Sequence, residues 1–175
     1  MINIETLITI STLQQQDKEA TREVLITSYE QYKERFTNIE DYSNYIENIR
    51  LSLDSPKIDK VLVAKDENNQ ILGTLQIYSN SEDAYGRPEL NIQNPIVRLL
   101  GVHPSARGKG IARGLLLESI NYTIQKDAHT LHLHTGDFME DAIRLYERFG
   151  FYRDFSKDFY NNDVHVKCYR FDIHQ

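Results

Sequence analysis

The sequence predicts a mixed α/β fold, a single domain over residues 1–175, and three observations carry the prediction. Runs rich in valine, isoleucine and leucine alternate with stretches whose apolar residues recur every three or four positions. The second half repeats that alternation as strand, helix, strand, helix, the rhythm of a parallel crossover. The length matches about one domain, since single domains run to roughly 100–200 residues.

Taken in order, INIETLITI alternates weakly and reads as a strand, and QQQDKE at 14–19 is a polar loop entering a helix. ATREVLITSYEQYKERF and EDYSNYIENIRLSL carry the helical period, so two helices come early. KVLVAK and ILGTLQIYSN are β-branched runs separated by DENNQ, a set of turn formers that makes them a hairpin. SEDAYGRPELNIQNP breaks any element. IVRLLGV is the next strand, IARGLLLESINYTIQK a helix, TLHLHT a strand and EDAIRLYERF a helix; FYRDFSKDFY and VHVKCYRFDI close the chain as an antiparallel pair.

With 40% apolar and 26% charged residues the chain can bury a core and falls in neither the disordered nor the transmembrane class. Its start has no basic region ahead of an apolar block, so a secretory signal is not expected and a cytoplasmic location is. The single cysteine, Cys168, excludes a disulfide framework and fits a reducing compartment. A net charge of −6 argues against a nucleic-acid partner, because such affinity rests on basic side chains neutralising phosphates. No membrane partner is expected.

The chemistry concentrates in PSARGKGIARG at 104–114, between a strand ending at Val102 and a helix starting near Gly110. A glycine-containing turn there leaves backbone N–H groups at the positive end of a helix, where anions bind. Gly108 and Gly110 let the backbone approach a ligand, while Arg107, Lys109 and Arg113 add positive charge. A diphosphate is the ligand this describes. The triphosphate loop GxxxxGK[ST] needs Ser or Thr after the lysine, where this chain has Gly110. The dinucleotide fingerprint GxGxxG needs a third glycine where this chain has Arg113, with Gly114 one place late.

Arg107-Gly108-Lys109-Gly110-Ile111-Ala112 fits the pattern [RQ]-x-x-G-x-[GA], and AIRLYERFGF fits A-x-x-L-Y-x-x-x-G-F at Ala142, Leu145, Tyr146, Gly150 and Phe151. In these two motifs, in this order, the sequence resembles the GNAT superfamily of acyl-CoA-dependent N-acetyltransferases, over roughly residues 95–155. The resemblance implies a central, mixed, largely antiparallel twisted sheet flanked by helices. It implies acetyl-CoA as co-substrate, its pyrophosphate on the amides of Arg107, Gly108, Lys109, Gly110, Ile111, Ala112 and Arg113. The pantetheine would pair like an extra strand at Leu100 and Val102, whose N–H groups would lie near the thioester carbonyl and stabilise its oxyanion. The acceptor would be a small-molecule or peptide primary amine attacking directly in a ternary complex.

Tyr146 matches the family's tyrosine that assists the departing thiolate. A thiol near pKa 8.5 and a phenol near 10 differ by about 1.5 units, roughly 2 kcal/mol, so the expected role is hydrogen-bond donation to sulfur rather than full proton transfer. The attacking amine must be neutral, which calls for a base or a water relay; Glu89 and His103 are the candidates, each with a plain alternative as a solvated loop residue. Met139 stands where many family members carry asparagine, which puts one side-chain contact to the cofactor in question; the neighbouring Asp137 or backbone groups are the candidates to replace it. Tyr29, Tyr32, Tyr42, Tyr45 and Tyr160, among many carboxylates, would flank the acceptor and suit a cationic amine, or else serve as packing.

Two other readings compete. His129, His132 and His134 in HTLHLHT raise a zinc site, since residues two apart on a strand share a face. A third ligand and an open position are needed, however, and Cys168 is remote in sequence, so no metal is expected. The loop would also serve a non-catalytic module that binds or senses acyl-CoA, against which Tyr146 argues for catalysis. An edge strand near the C-terminus admits a homodimer.

Overall fold

The computed structural model describes residues 7–174. Among the described residues there are eight strands: β1 Thr9–Thr12, β2 Lys60–Lys65, β3 Ile71–Tyr78, β4 Ile96–Val102, β5 Thr130–Gly136, β6 Tyr152–Arg153, β7 Phe159–Asn161 and β8 Val164–Asp172. The same residues hold five α-helices: α1 Lys18–Tyr29, α2 Ile39–Ser52, α3 Ser81–Tyr85, α4 Ile111–Gln125 and α5 Glu140–Phe149. The hydrogen-bonded strand order is β1-β2-β3-β4-β5-β8-β6, with β7 paired to β8. The sheet is mixed and mostly antiparallel, as expected. Of the predicted first strand, Thr9–Thr12 is described and its opening residues lie outside the described range.

The chain forms two compact units, one of residues up to Gln76 with Leu99–Leu116, the other of Ile77–Arg98 with Leu117 onward. In the first, β1 runs antiparallel to β2 from Thr9 opposite Lys65 to Thr12 opposite Leu62. The DENNQ turn joins β2 to β3 as the residue types predict. Asp66 Oδ1 accepts from the amides of Asn68 and Gln70, and Asn69 takes the left-handed conformation at φ 61° that asparagine tolerates. Helix α1 buries the stripe Thr21, Leu25 and Ser28, spaced three or four apart. Asn38 caps α2 by accepting from the Glu40 amide. Leu25, Val63, Leu75, Leu115 and Leu116 are fully enclosed.

Two glycines set how closely these pieces approach. A Cβ at Gly101 would lie 2.1 Å from Ser28 Oγ, and one at Gly73 would lie 2.8 Å from Ile111 Cγ2 and 3.2 Å from the Gly101 carbonyl oxygen. Glycine in β3 and β4 therefore brings backbone against α1 and α4 where any side chain would force a shift.

In the second unit β4 and β5 are parallel, Ile96 opposite His132 and Val97 opposite Leu133, the crossover that the strand–helix–strand rhythm predicts. β8 runs antiparallel to β5 from Thr130 opposite Asp172 to Gly136 opposite Val166. The closing antiparallel pair takes a more divided form. FYRDFSKDFY contributes β6 and β7, separated by a 3₁₀ turn at Phe155–Lys157, and both pair with β8. β8 is thus interior to the sheet, and the C-terminal edge consists of strands of two and three residues. The stretch expected to break any element instead holds α3. Asn80 caps it by accepting from the Asp83 amide, and Gly86 ends it at φ 65°. Five residues are too few to show a helical period.

Candidate functional site

The loop singled out in the sequence is a 3₁₀ turn at Pro104–Ala106 followed by Arg107–Gly110 and the start of α4. Gly108 and Gly110 sit at φ 80° and 76°, and a Cβ on either would meet nothing within 4 Å. The glycines are demanded by backbone conformation, and the space above them is open. Arg107 is extended at φ −68° and ψ 153°, and the left-handed Gly108 and Gly110 follow it, so the backbone turns sharply twice before α4. The Gly114 amide donates to the Gly110 carbonyl, the first bond of the helix. The amides of Ile111, Ala112 and Arg113 therefore precede the helical ladder, at the positive end of a fifteen-residue dipole. Lys109 and Arg113 are exposed beside them. Arg107 Nη2 donates to the Ser28 carbonyl at 3.4 Å and ties the loop to α1.

Leu99 was not legible in the sequence. It lies in the left-handed region at φ 53°, a conformation costing a non-glycine residue about 1–3 kcal/mol, two positions after Val97, which is in register with β5. Leu100 and Val102 follow Leu99 in the last part of β4. Leu100 offers its carbonyl to the Tyr29 hydroxyl at 3.3 Å. The His103 amide donates to the Leu72 carbonyl at 2.8 Å, anchoring the end of β4 to β3.

Tyr29 belongs to a ring cluster. Its centroid lies 5.9 Å from Tyr32 and 6.5 Å from Tyr45, and Phe36 lies 5.0 Å from Tyr45 and 5.7 Å from Tyr42. Burial lifts the Tyr45 phenol well above its ordinary range. Four of the five candidate acceptor tyrosines are thus together in the first unit. Tyr160 is in the second, stacked at 4.8 Å on His165.

Tyr146 is buried on α5, with its ring 6.0 Å from Phe151 in an edge-on arrangement and its carbonyl accepting from the amides of Gly150 and Phe151. The GF pair of the second motif is what closes this helix, Gly150 at φ 119° and Phe151 fully packed. Met139 precedes α5 without a side-chain cap, so the position of the family asparagine contributes apolar bulk here. Asp137 is exposed, and its amide is taken by the His165 carbonyl.

Of the two base candidates, His103 Nδ1 accepts from the Ser105 amide at 3.1 Å and so caps the 3₁₀ turn. Glu89 is exposed and pairs with Arg87 at 3.5 Å. β5 holds the buried polar groups instead. His134 Nε2 lies 2.9 Å from the Lys157 carbonyl, which can only accept; Nε2 therefore carries the proton and Nδ1 accepts from the Tyr85 hydroxyl at 3.0 Å. Burial pushes the His134 pKa down to about 4. The Arg98 guanidinium lies 5.0 Å from the Tyr85 ring and donates to the Ala84 carbonyl. His132 and His134 share a face as predicted, whereas His129 precedes the strand and is exposed.

No helix among the described residues is long and apolar enough to cross a membrane. The chain is 32% identical over 91 residues to the mycothiol acetyltransferase of Propionibacterium freudenreichii subsp. shermanii, a match covering 52% of this chain and 27% of that protein. It therefore spans well under two thirds of that relative's length. Among solved structures, an acetyltransferase of the GNAT family from Staphylococcus aureus superposes with a TM-score of 0.67 at 18% identity, covering 96% of this chain and 100% of that one. A PaiA N-acetyltransferase from Thermoplasma acidophilum, solved in complex with coenzyme A, gives 0.69 at 16% identity over 94% and 99%. These likenesses show a shared fold. The model of the acetyltransferase (GNAT) family matches residues 19–151, from the start of α1 through the glycine turn at Arg107–Gly110 to the end of the second motif, and the chain belongs to that family.

Proposed function

We propose that this protein moves the acetyl group of acetyl-CoA to a primary amine by direct attack within a ternary complex. The observation that carries the reading is the turn Arg107–Gly110, where two left-handed glycines border open space ahead of the unladdered amides of α4, beside Lys109 and Arg113. A diphosphate fits that geometry and charge. Leu100 and Val102, past Leu99, are the β4 positions assigned to the pantetheine and to the oxyanion. The neutral amine attacks the thioester carbonyl, the tetrahedral intermediate collapses, and the C–S bond breaks. The nitrogen gives up a proton to water or a base, and CoA leaves as a thiolate that Tyr146 stabilises by hydrogen-bond donation. The products are the amide and free CoA.

Release of free thiol from acetyl-CoA, measured against a panel of small amines and peptides, tests the reaction; binding of CoA with no turnover on any amine would move the protein to the class of acyl-CoA-binding modules. Tyr146→Phe is expected to lower turnover roughly 10- to 150-fold, the worth of a hydrogen bond to a charged group. KM for acetyl-CoA should stay close to the parent value. A variant as fast as the parent removes Tyr146 from the mechanism.

A further inference from the structure

We propose that His132, Asp154 and Cys168 form a buried site for a thiophilic divalent metal ion of the zinc class. One imidazole nitrogen, one carboxylate oxygen and the Sγ of these residues all lie within 4.8 Å of one another. They come from three segments of the second unit. His134 stands opposite Cys168 in the β5–β8 register, so His132, two residues away, projects from the same face. Asp154, just past β6, is held in place because its amide donates to the Cys168 carbonyl at 2.9 Å. Cysteine and histidine are 36 positions apart in sequence, and the antiparallel pairing brings them together.

A second observation points to a ligand. His132 is 3% exposed, and neither of its ring nitrogens has a hydrogen-bond partner. The nearest carboxylate oxygen, Asp154 Oδ2, is 3.4 Å from Nε2, beyond a good hydrogen bond. A buried polar side chain left in that state costs free energy, and an ion in the cluster removes the cost by taking the lone pair. Cys168 is fully enclosed, and the Asp154 side chain is 11% exposed.

The donor set suits zinc, which binds thiolate, neutral imidazole and carboxylate at about 2.0–2.3 Å. Donor atoms around a tetrahedral ion are then roughly 3.5 Å apart, so the cluster tightens by about an ångström on loading. Ligation exchanges the thiol proton for the metal: M²⁺ and Cys–SH give the metal thiolate and one released proton. With Asp154 as carboxylate, the charges +2, −1 and −1 cancel, which suits an interior. Arg170 Nη1, 3.4 Å from Asp154 Oδ2, is the outer partner that orients this carboxylate. Three protein donors leave a fourth position for water.

Cys168 is the single cysteine of the chain, so any metal–thiolate absorption reports this site alone. The full untagged chain is refolded from urea with cobalt(II), because the native site is sealed. The expected result is a near-ultraviolet sulfur-to-cobalt band saturating at one equivalent and bleached by zinc(II). X-ray absorption at the cobalt edge should show one sulfur among lighter donors. Cys168→Ser is expected to abolish the band. His132→Asn and Asp154→Asn should each weaken cobalt binding at least about tenfold, while His129→Asn, outside the strand, leaves it unchanged. Absence of the band, no sulfur at the cobalt edge, or unchanged affinity in folded His132→Asn and Asp154→Asn each overturns the site. The wild-type spectra decide the matter even where a variant does not fold. Acetyl transfer plays no part in this argument, and failure here leaves the reading of the phosphate turn intact.

Discussion

Arg22 donates from Nε and Nη2 to Glu19, from Nη1 and Nη2 to Asp54, and from Nη1 to the Arg50 carbonyl, so one buried guanidinium joins α1 to the end of α2. Hydrogen bonds from Arg22, and then from Lys18, hold the Asp54 carboxyl at about 2. The folded value lies below the ordinary 3.8, so the contribution to stability is fully present above that pH and is lost as pH falls toward 2. Arg22→Leu should return the Asp54 midpoint toward 3.8 in a carboxyl NMR titration, and an unmoved midpoint would exclude the pairing in solution. Single residues divide sharply in how far the sequence exposes them. Gly108, Gly110 and Tyr146 announce themselves through motifs. The strained Leu99 and the cysteine beside His132 do not, because backbone turn and strand register are tertiary outcomes that no local pattern encodes. Arg107 is intermediate, a motif residue whose guanidinium is partly occupied by α1.

At the scale of elements, period and turn chemistry recover α1, α2, α4, α5 and all the longer strands, since each carries enough residues to display an apolar face. What escapes is short, namely α3, the 3₁₀ turns and the division of the last hairpin into β6 and β7. The approach of α1 to β4 supplies a test. Gly101→Ala places a methyl carbon 2.1 Å from Ser28 Oγ and is expected to cost about 1–3 kcal/mol in urea denaturation. Ser28→Gly in the same chain should recover part of that loss, so the double variant is more stable than the sum of the singles. Simple additivity would mean that the two elements do not meet as described.

For the whole molecule, ligand binding and folding are linked. If the proposed binding holds, CoA at one hundred times its Kd would stabilise the folded chain by about 2.7 kcal/mol. A chain of this size gains roughly 2–4 °C in Tm for each kcal/mol, so the expected rise is about 5–10 °C. Gly110→Val, strained at φ 76°, should lose the rise while the free protein still melts cooperatively. A variant that keeps the full rise would take the diphosphate away from this turn. With a net charge of −6, an anionic ligand would have to be recruited by local basic groups against the average field, so the rise should shrink as salt screens those groups.

Gly73 never meets a ligand in this scheme, yet a methyl group there would strike Ile111, the first residue of α4. The pitch of that helix, and with it the aim of the amides that open it, is calibrated by a missing carbon two strands and nearly forty residues upstream. Drift at such a position would retune cofactor grip silently, through leverage rather than through any functional group.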